Sequence, residues 1–179
     1  TRSWRTSGGG CLTAKGTGKA CTPKSPRFYK TMSDSDLREE YETWLASLQL
    51  RHFRPREVTN YANASRNGVQ NSLPGRELWQ NLPPVLWVLD QLRESIDLPI
   101  RLTSIYRSPE YNHKGVKGSP RSFHMRNCAV DFQIDGMSPQ QAFNRLNKMR
   151  HAGCFTGGLG AYSTFCHIDA GVRGRNATW

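Results

Sequence analysis

The spacing of apolar and polar positions divides the chain into helical and extended segments. Leu37, Tyr41, Trp44 and Leu48 recur at helical spacing behind Ser33 and Asp36, which are placed as a capping box, and predict a helix from about 33 to 50. Val85, Val88, Leu89, Leu92 and Ile96 form a second stripe behind Pro83 and Pro84, residues suited to a first helical turn. A third helix follows Ser138: Pro139 takes its first position, Gln141 completes a capping box, and Ala142, Phe143, Leu146 and Met149 face inward. Between the helices, Pro99 to Tyr106 and Ala129 to Asp135 read as strands, and Leu159 to Tyr162 followed by Phe165 to Asp169 reads as a hairpin. Helices and strands do not alternate strictly, which favours an α+β domain, an antiparallel sheet covered by helices.

The N-terminal stretch departs from this pattern. Residues 1–32 are rich in Gly, Thr, Lys and Arg with scattered apolar positions, too few to offset the cost of ordering the backbone. They read as a basic arm, leaving residues 33–179 as one folded domain. Lysine and arginine outnumber acidic residues 25 to 14, and the formal charge of +11 predicts attraction to a polyanion such as nucleic acid, anionic cell wall or lipid headgroups. No recognition motif for nucleic acid accompanies the charge, so a specific nucleic-acid partner is not expected. No apolar run is long enough for a spanning helix, and a monomer is expected. Five cysteines, Cys11, Cys21, Cys128, Cys154 and Cys166, point to an oxidising compartment, either outside the cell or periplasmic. Burial of several of them as small apolar residues is the competing reading.

Candidate chemistry lies on two of the predicted strands. In Ala129 to Asp135, alternation puts Val130, Phe132 and Ile134 on one face and Asp131 on the other. His124 stands seven residues upstream, far enough for the chain to fold back beside that carboxylate. In Phe165 to Asp169, His167 and Asp169 share a face opposite Cys166 and Ile168. Two histidines and one carboxylate leave a tetrahedral Zn²⁺ with an open position, the arrangement of catalytic rather than structural sites. Taken singly, each residue is as well explained as a surface histidine, a capping aspartate or a core histidine satisfied by a carbonyl.

A wider pattern changes that balance. Ser104-Ile105-Tyr106-Arg107-Ser108-Pro109-Glu110-Tyr111-Asn112, then Ser122-Phe123-His124 through Ala129-Val130-Asp131, then Phe165-Cys166-His167-Ile168-Asp169, resemble the zinc D-alanyl-D-alanine carboxypeptidase family, whose fold is similar to the hedgehog signalling domain. The resemblance runs from about residue 50 to Trp179. It implies that His124, Asp131 and His167 hold Zn²⁺, and that Arg107 binds a substrate carboxylate or polarises the scissile carbonyl, with Tyr106 and Ser122 beside it in substrate binding. The peptide part of peptidoglycan is the implied substrate, and delivery to the cell wall, by secretion or by a phage, the implied location. A noncatalytic zinc-stabilised module that binds wall or protein is the alternative, since the hedgehog branch of the fold includes one.

Two departures from the family pattern stand out. Asn127 replaces a glycine between the first two ligands, and asparagine tolerates a left-handed backbone better than most residues. Thr164 stands where other branches place an acidic general base three residues before the last histidine. Asp169 is then a candidate base, or else a group that orients a ligand imidazole. Facing alternation also suggests a Cys128–Cys166 disulfide behind the site, with Cys154–Cys166 and simple burial as other possibilities, and a Cys11–Cys21 bridge in the arm.

Overall fold

The computed structural model describes residues 33–170 and 175–179, and the N-terminal arm with its Cys11 and Cys21 lies outside them. Helix α1 (Asp34–Ser47) starts where the sequence places it: Ser33 Oγ accepts from the Asp36 backbone N–H, and the Asp36 carboxylate accepts from the Ser33 N–H in return. A short helix α2 (Pro55–Thr59) follows, then a two-stranded hairpin of β1 (Ser65–Arg66) and β2 (Val69–Gln70). Helix α3 (Pro83–Ile96) opens on its prolines and ends at Asp97 in the left-handed conformation. Strands β3 (Ile100–Ser104) and β4 (Ala129–Ile134), helix α4 (Pro139–His151), and strands β5 (Gly157–Ala161), β6 (Cys166–Ala170) and β7 (Ala177–Thr178) complete the order.

The main sheet runs β3-β4-β6-β5-β7. Its first four strands are antiparallel neighbours, as expected, but β7 pairs with β5 in parallel, so the sheet is mixed. A two-residue edge strand carries no periodicity that could announce its direction. One face of the sheet is apolar: Val130, Phe132 and Ile134 of β4, Leu159 of β5, and Cys166 and Ile168 of β6 join a core with Val85, Leu86, Leu89 and Leu92 of α3 and Ala142 and Leu146 of α4. Helices α3 and α4 therefore cover that face, and the fold is α+β.

The expected Cys128–Cys166 bridge does not form, nor does a Cys154–Cys166 one, and Cys128 and Cys166 are both buried. Alternation had fixed which way each side chain faces but not the offset between strands. Phe132 pairs with Cys166 and Ala129 with Asp169, which puts Cys128 four positions along from the partner of Cys166. That separation is roughly 13 Å at about 3.3 Å per residue, twice what a disulfide spans. Cys166 is instead a core residue, and burial pushes its thiol up to about 12.

Candidate metal centre

The polar face of the sheet is organised by register. Ser104 pairs with Asp131, Asp131 with His167, and His167 with Gly160, so one row of side chains crosses β3, β4, β6 and β5. The next row carries Ala129, Asp169 and Gly158. His124 enters from the short helical turn Phe123–Arg126, which follows Ser122. Asn127 ends that turn at φ 54°, the left-handed conformation that glycine adopts most readily and asparagine tolerates. Its amide Nδ2 donates to the Leu78 carbonyl and the Tyr41 hydroxyl, tying the turn to α1 and to the segment before α3.

His124, Asp131 and His167 are all buried, and one donor atom from each lies within 4.8 Å of the others. His124 Nδ1 donates to the Ile105 carbonyl at 2.6 Å, which leaves its Nε2 facing Asp131 Oδ1 at 3.2 Å. Burial holds the His124 pKa below its ordinary value, although the Asp131 carboxylate works the other way. In the neutral ring, with Nδ1–H committed to a carbonyl, Nε2 is a bare lone pair pointed at a carboxylate oxygen. Such a pairing calls for a cation between the two atoms. His167 Nδ1 lies 2.6 Å from the same Asp131 oxygen. A tetrahedral zinc spaces its donors roughly 3.4 Å apart, so the set fits the ion with small movements.

Asp131 Oδ2 accepts from Arg107 Nη2 at 2.5 Å, and Arg107 Nε donates to Ser104 Oγ at 2.8 Å. Desolvation would raise the Asp131 pKa, but His124, His167 and their hydrogen bonds outweigh it and hold the carboxyl well below its usual range. For His167, burial acts downward, and the hydrogen bond to Asp131 together with the Asp169 carboxylate leaves the net shift upward.

The three residues open onto a cavity of about 680 Å³, which Arg107 and Ser122 also line. Two other sequence expectations fall elsewhere. Tyr106 is not among the lining residues; it is half-buried, and its carbonyl accepts from Asn71 Nδ2. Asp169 is fully buried and also absent from the lining. Its Oδ1 accepts from the Gly158 N–H at 3.0 Å, and its Oδ2 stands 3.6 Å from His167 Nε2. Buried and close to His167 Nε2, it is placed to orient that imidazole. Among the described residues, Asp131 is the sole carboxylate lining the cavity, and Thr164 also lines it.

Sequence reasoning missed much of the rim. Tyr162, Phe165 and Trp179 form an aromatic wall, with Tyr162 and Phe165 stacked at 4.4 Å and Trp179 Nε1 donating to the Tyr162 hydroxyl at 2.8 Å. Arg66 and Arg121 reach the cavity from β1 and from the loop before His124. Their signal in the sequence was only an excess of positive charge.

A family model described as peptidase M15 matches residues 51–169, more than half of the chain. No curated protein matches it.

Proposed function

The chain belongs to the peptidase M15 family, of the zinc D-alanyl-D-alanine carboxypeptidase type, and on that premise we propose that it hydrolyses amide bonds in the stem peptides or cross-links of peptidoglycan. The observation that carries the metal-dependent reading is the bare Nε2 of His124 turned toward Asp131 Oδ1 at 3.2 Å, with His167 Nδ1 converging on the same oxygen. His124, Asp131 and His167 would hold the zinc. When bound, it supplies Lewis-acid polarisation of the scissile carbonyl and makes water a competent nucleophile near neutral pH.

The other residues serve binding and orientation. Asp131 is held in place by Arg107, whose position on the cavity wall also lets it meet a substrate oxygen. Asp169 sets the His167 ring from behind. Arg66 and Arg121, exposed and without an ion-pair partner among the described residues, give the mouth a positive charge that suits carboxylate-rich wall peptides. Such a substrate places the protein's work at the cell wall, after secretion, in the periplasm or by phage delivery. Among the described residues, no helix is long and apolar enough to cross a membrane.

The absence of a second carboxylate from the described lining favours one rival reading, a zinc-stabilised module that binds wall without cutting it. Release of new amines from purified peptidoglycan, with the protein zinc-loaded and then stripped by a chelator, separates the two. The peptidase releases amines only when loaded. A binder releases none at either loading yet still sediments with the wall.

A further inference from the structure

The two histidines of the centre are secured differently. His124 is fixed through Nδ1 to the Ile105 carbonyl at 2.6 Å, a bond that metal uptake at Nε2 leaves intact. The short bond of His167, Nδ1 to Asp131 Oδ1 at 2.6 Å, joins two atoms that would both turn to the ion. It is given up on loading. On the other side of the ring, Nε2 is 3.6 Å from Asp169 Oδ2, longer than an ordinary hydrogen bond. In a loaded site Asp169 would hold this ring from one side only, which leaves its faces to be fixed by packing.

Trp179 supplies such packing. Its indole lies 5.3 Å from the His167 ring, centroid to centroid, tilted by 49°. The indole is itself anchored: the Trp179 N–H donates to the Leu159 carbonyl at 3.2 Å, its carbonyl accepts from the Ala161 N–H at 3.1 Å, and Nε1 donates to the Tyr162 hydroxyl. Gly160, directly across the pairing from His167, is the floor on which the indole rests. A Cβ at position 160 would stand 2.5 Å from Trp179 Nε1 and 2.8 Å from Cε2, so any side chain there displaces the ring. A tryptophan held at both backbone atoms and at its nitrogen, yet 46% exposed beside a buried histidine, is placed to act on that histidine.

We propose that Trp179 is a positioning residue that holds the His167 imidazole in its metal-binding orientation, and that Gly160 is the position that admits it. The inference rests on the metallopeptidase reading. Removing the indole should weaken metal binding as loss of an outer-shell partner does, by about tenfold or more. A displaced indole should have the same effect as a missing one.

The experiment measures zinc affinity by competition with a chromophoric chelator in the wild type, Trp179→Ala, Trp179→Phe and Gly160→Ala. The melting temperature of each metal-free form and the visible spectrum of each cobalt-loaded form are recorded alongside. Expected are about tenfold weaker zinc binding in Trp179→Ala and Gly160→Ala, recovery to within about threefold in Trp179→Phe, and an altered cobalt spectrum in the first two, with metal-free melting little changed. Affinities within about twofold of wild type in both Trp179→Ala and Gly160→Ala overturn the proposal, as do losses that simply follow a lowered metal-free melting temperature. If Trp179→Ala does not fold, Gly160→Ala decides. A wild-type chain that takes up no zinc overturns the metallopeptidase reading and this proposal with it, whereas a wild type that loads and variants that load equally overturn this proposal alone.

Discussion

Arg107 and Asp131 meet at 2.5 Å through Nη2 and Oδ2, while the other oxygen of Asp131 takes both histidines, so each carboxylate oxygen is engaged by a cationic or metal-facing partner. Both side chains are largely out of solvent. Arg107→Ala removes a charged donor from a buried carboxylate and should destabilise the metal-free protein by about 1.5–3 kcal/mol in chemical denaturation. Arg107→Lys keeps the charge without the fork, and should restore part of that stability but little of the peptidase activity. Equal stability of wild type and Arg107→Ala would mean that the ion pair contributes nothing to the fold.

Zinc uptake should depend on pH above the ordinary histidine range. His167 must lose its proton to bind metal, and Asp131 and Asp169 raise its pKa above 6.5, while burial keeps His124 neutral. Zinc affinity should therefore climb by up to about tenfold per pH unit through neutrality, and flatten once His167 is neutral. In the metal-free protein the His167 interaction is fully present below pH 6.5 and lost as pH rises through its raised pKa. Asp131 acts oppositely: its contribution is present above 3.8 and lost as pH falls through its lowered pKa. Calorimetric zinc titrations across the range check the first point, and a flat profile between pH 6.5 and 8 would contradict it.

Asp169→Asn separates an orienting role from a general-base role. An orienting carboxylate, buried and 3.6 Å from His167 Nε2, should cost about ten- to a hundredfold in zinc affinity when neutralised. A base would leave affinity intact and lower kcat alone. Chelator competition run beside amine-release kinetics reads both.

The mouth arginines predict a different signature. Arg66→Ala and Arg121→Ala should each raise KM about two- to fivefold with kcat nearly unchanged, and both effects should shrink as salt is added. A fall in kcat with KM constant would place these residues in the reaction instead of at its entrance.

Asn127 offers a stability test that divides backbone from side chain. At φ 54° a Cβ costs about 1 kcal/mol relative to glycine, and the buried Nδ2 makes two hydrogen bonds. Asn127→Gly should lose only the bonds, and Asn127→Ala the bonds with strain retained, so alanine should be the less stable by about 1 kcal/mol in urea melts.

What could be read from the sequence was local. The three long helices followed from apolar spacing and capping pairs, and the facing of Asp131, His167 and Asp169 from a period of two. The meeting of His124 with that face needed the motif, because seven residues of turn have no periodicity. Pairwise offsets between strands were beyond reach, which is why Cys128 and Cys166 looked like partners. The parallel pairing of β7 and the seating of Trp179 on Gly160 were hidden for the same reason. Tyr106 stands two residues beyond the end of β3, where a period of two no longer says which way a side chain turns.

Two supports of the centre fall beyond the stretch that defines the family, residues 51–169: Tyr41 on α1, bonded to Asn127, and Trp179 against His167. A fragment cut to those boundaries would keep His124, Asp131 and His167 and still lose a brace on each flank. Weak metal retention by such a fragment would then report where it was cut, and would say little about the intact chain.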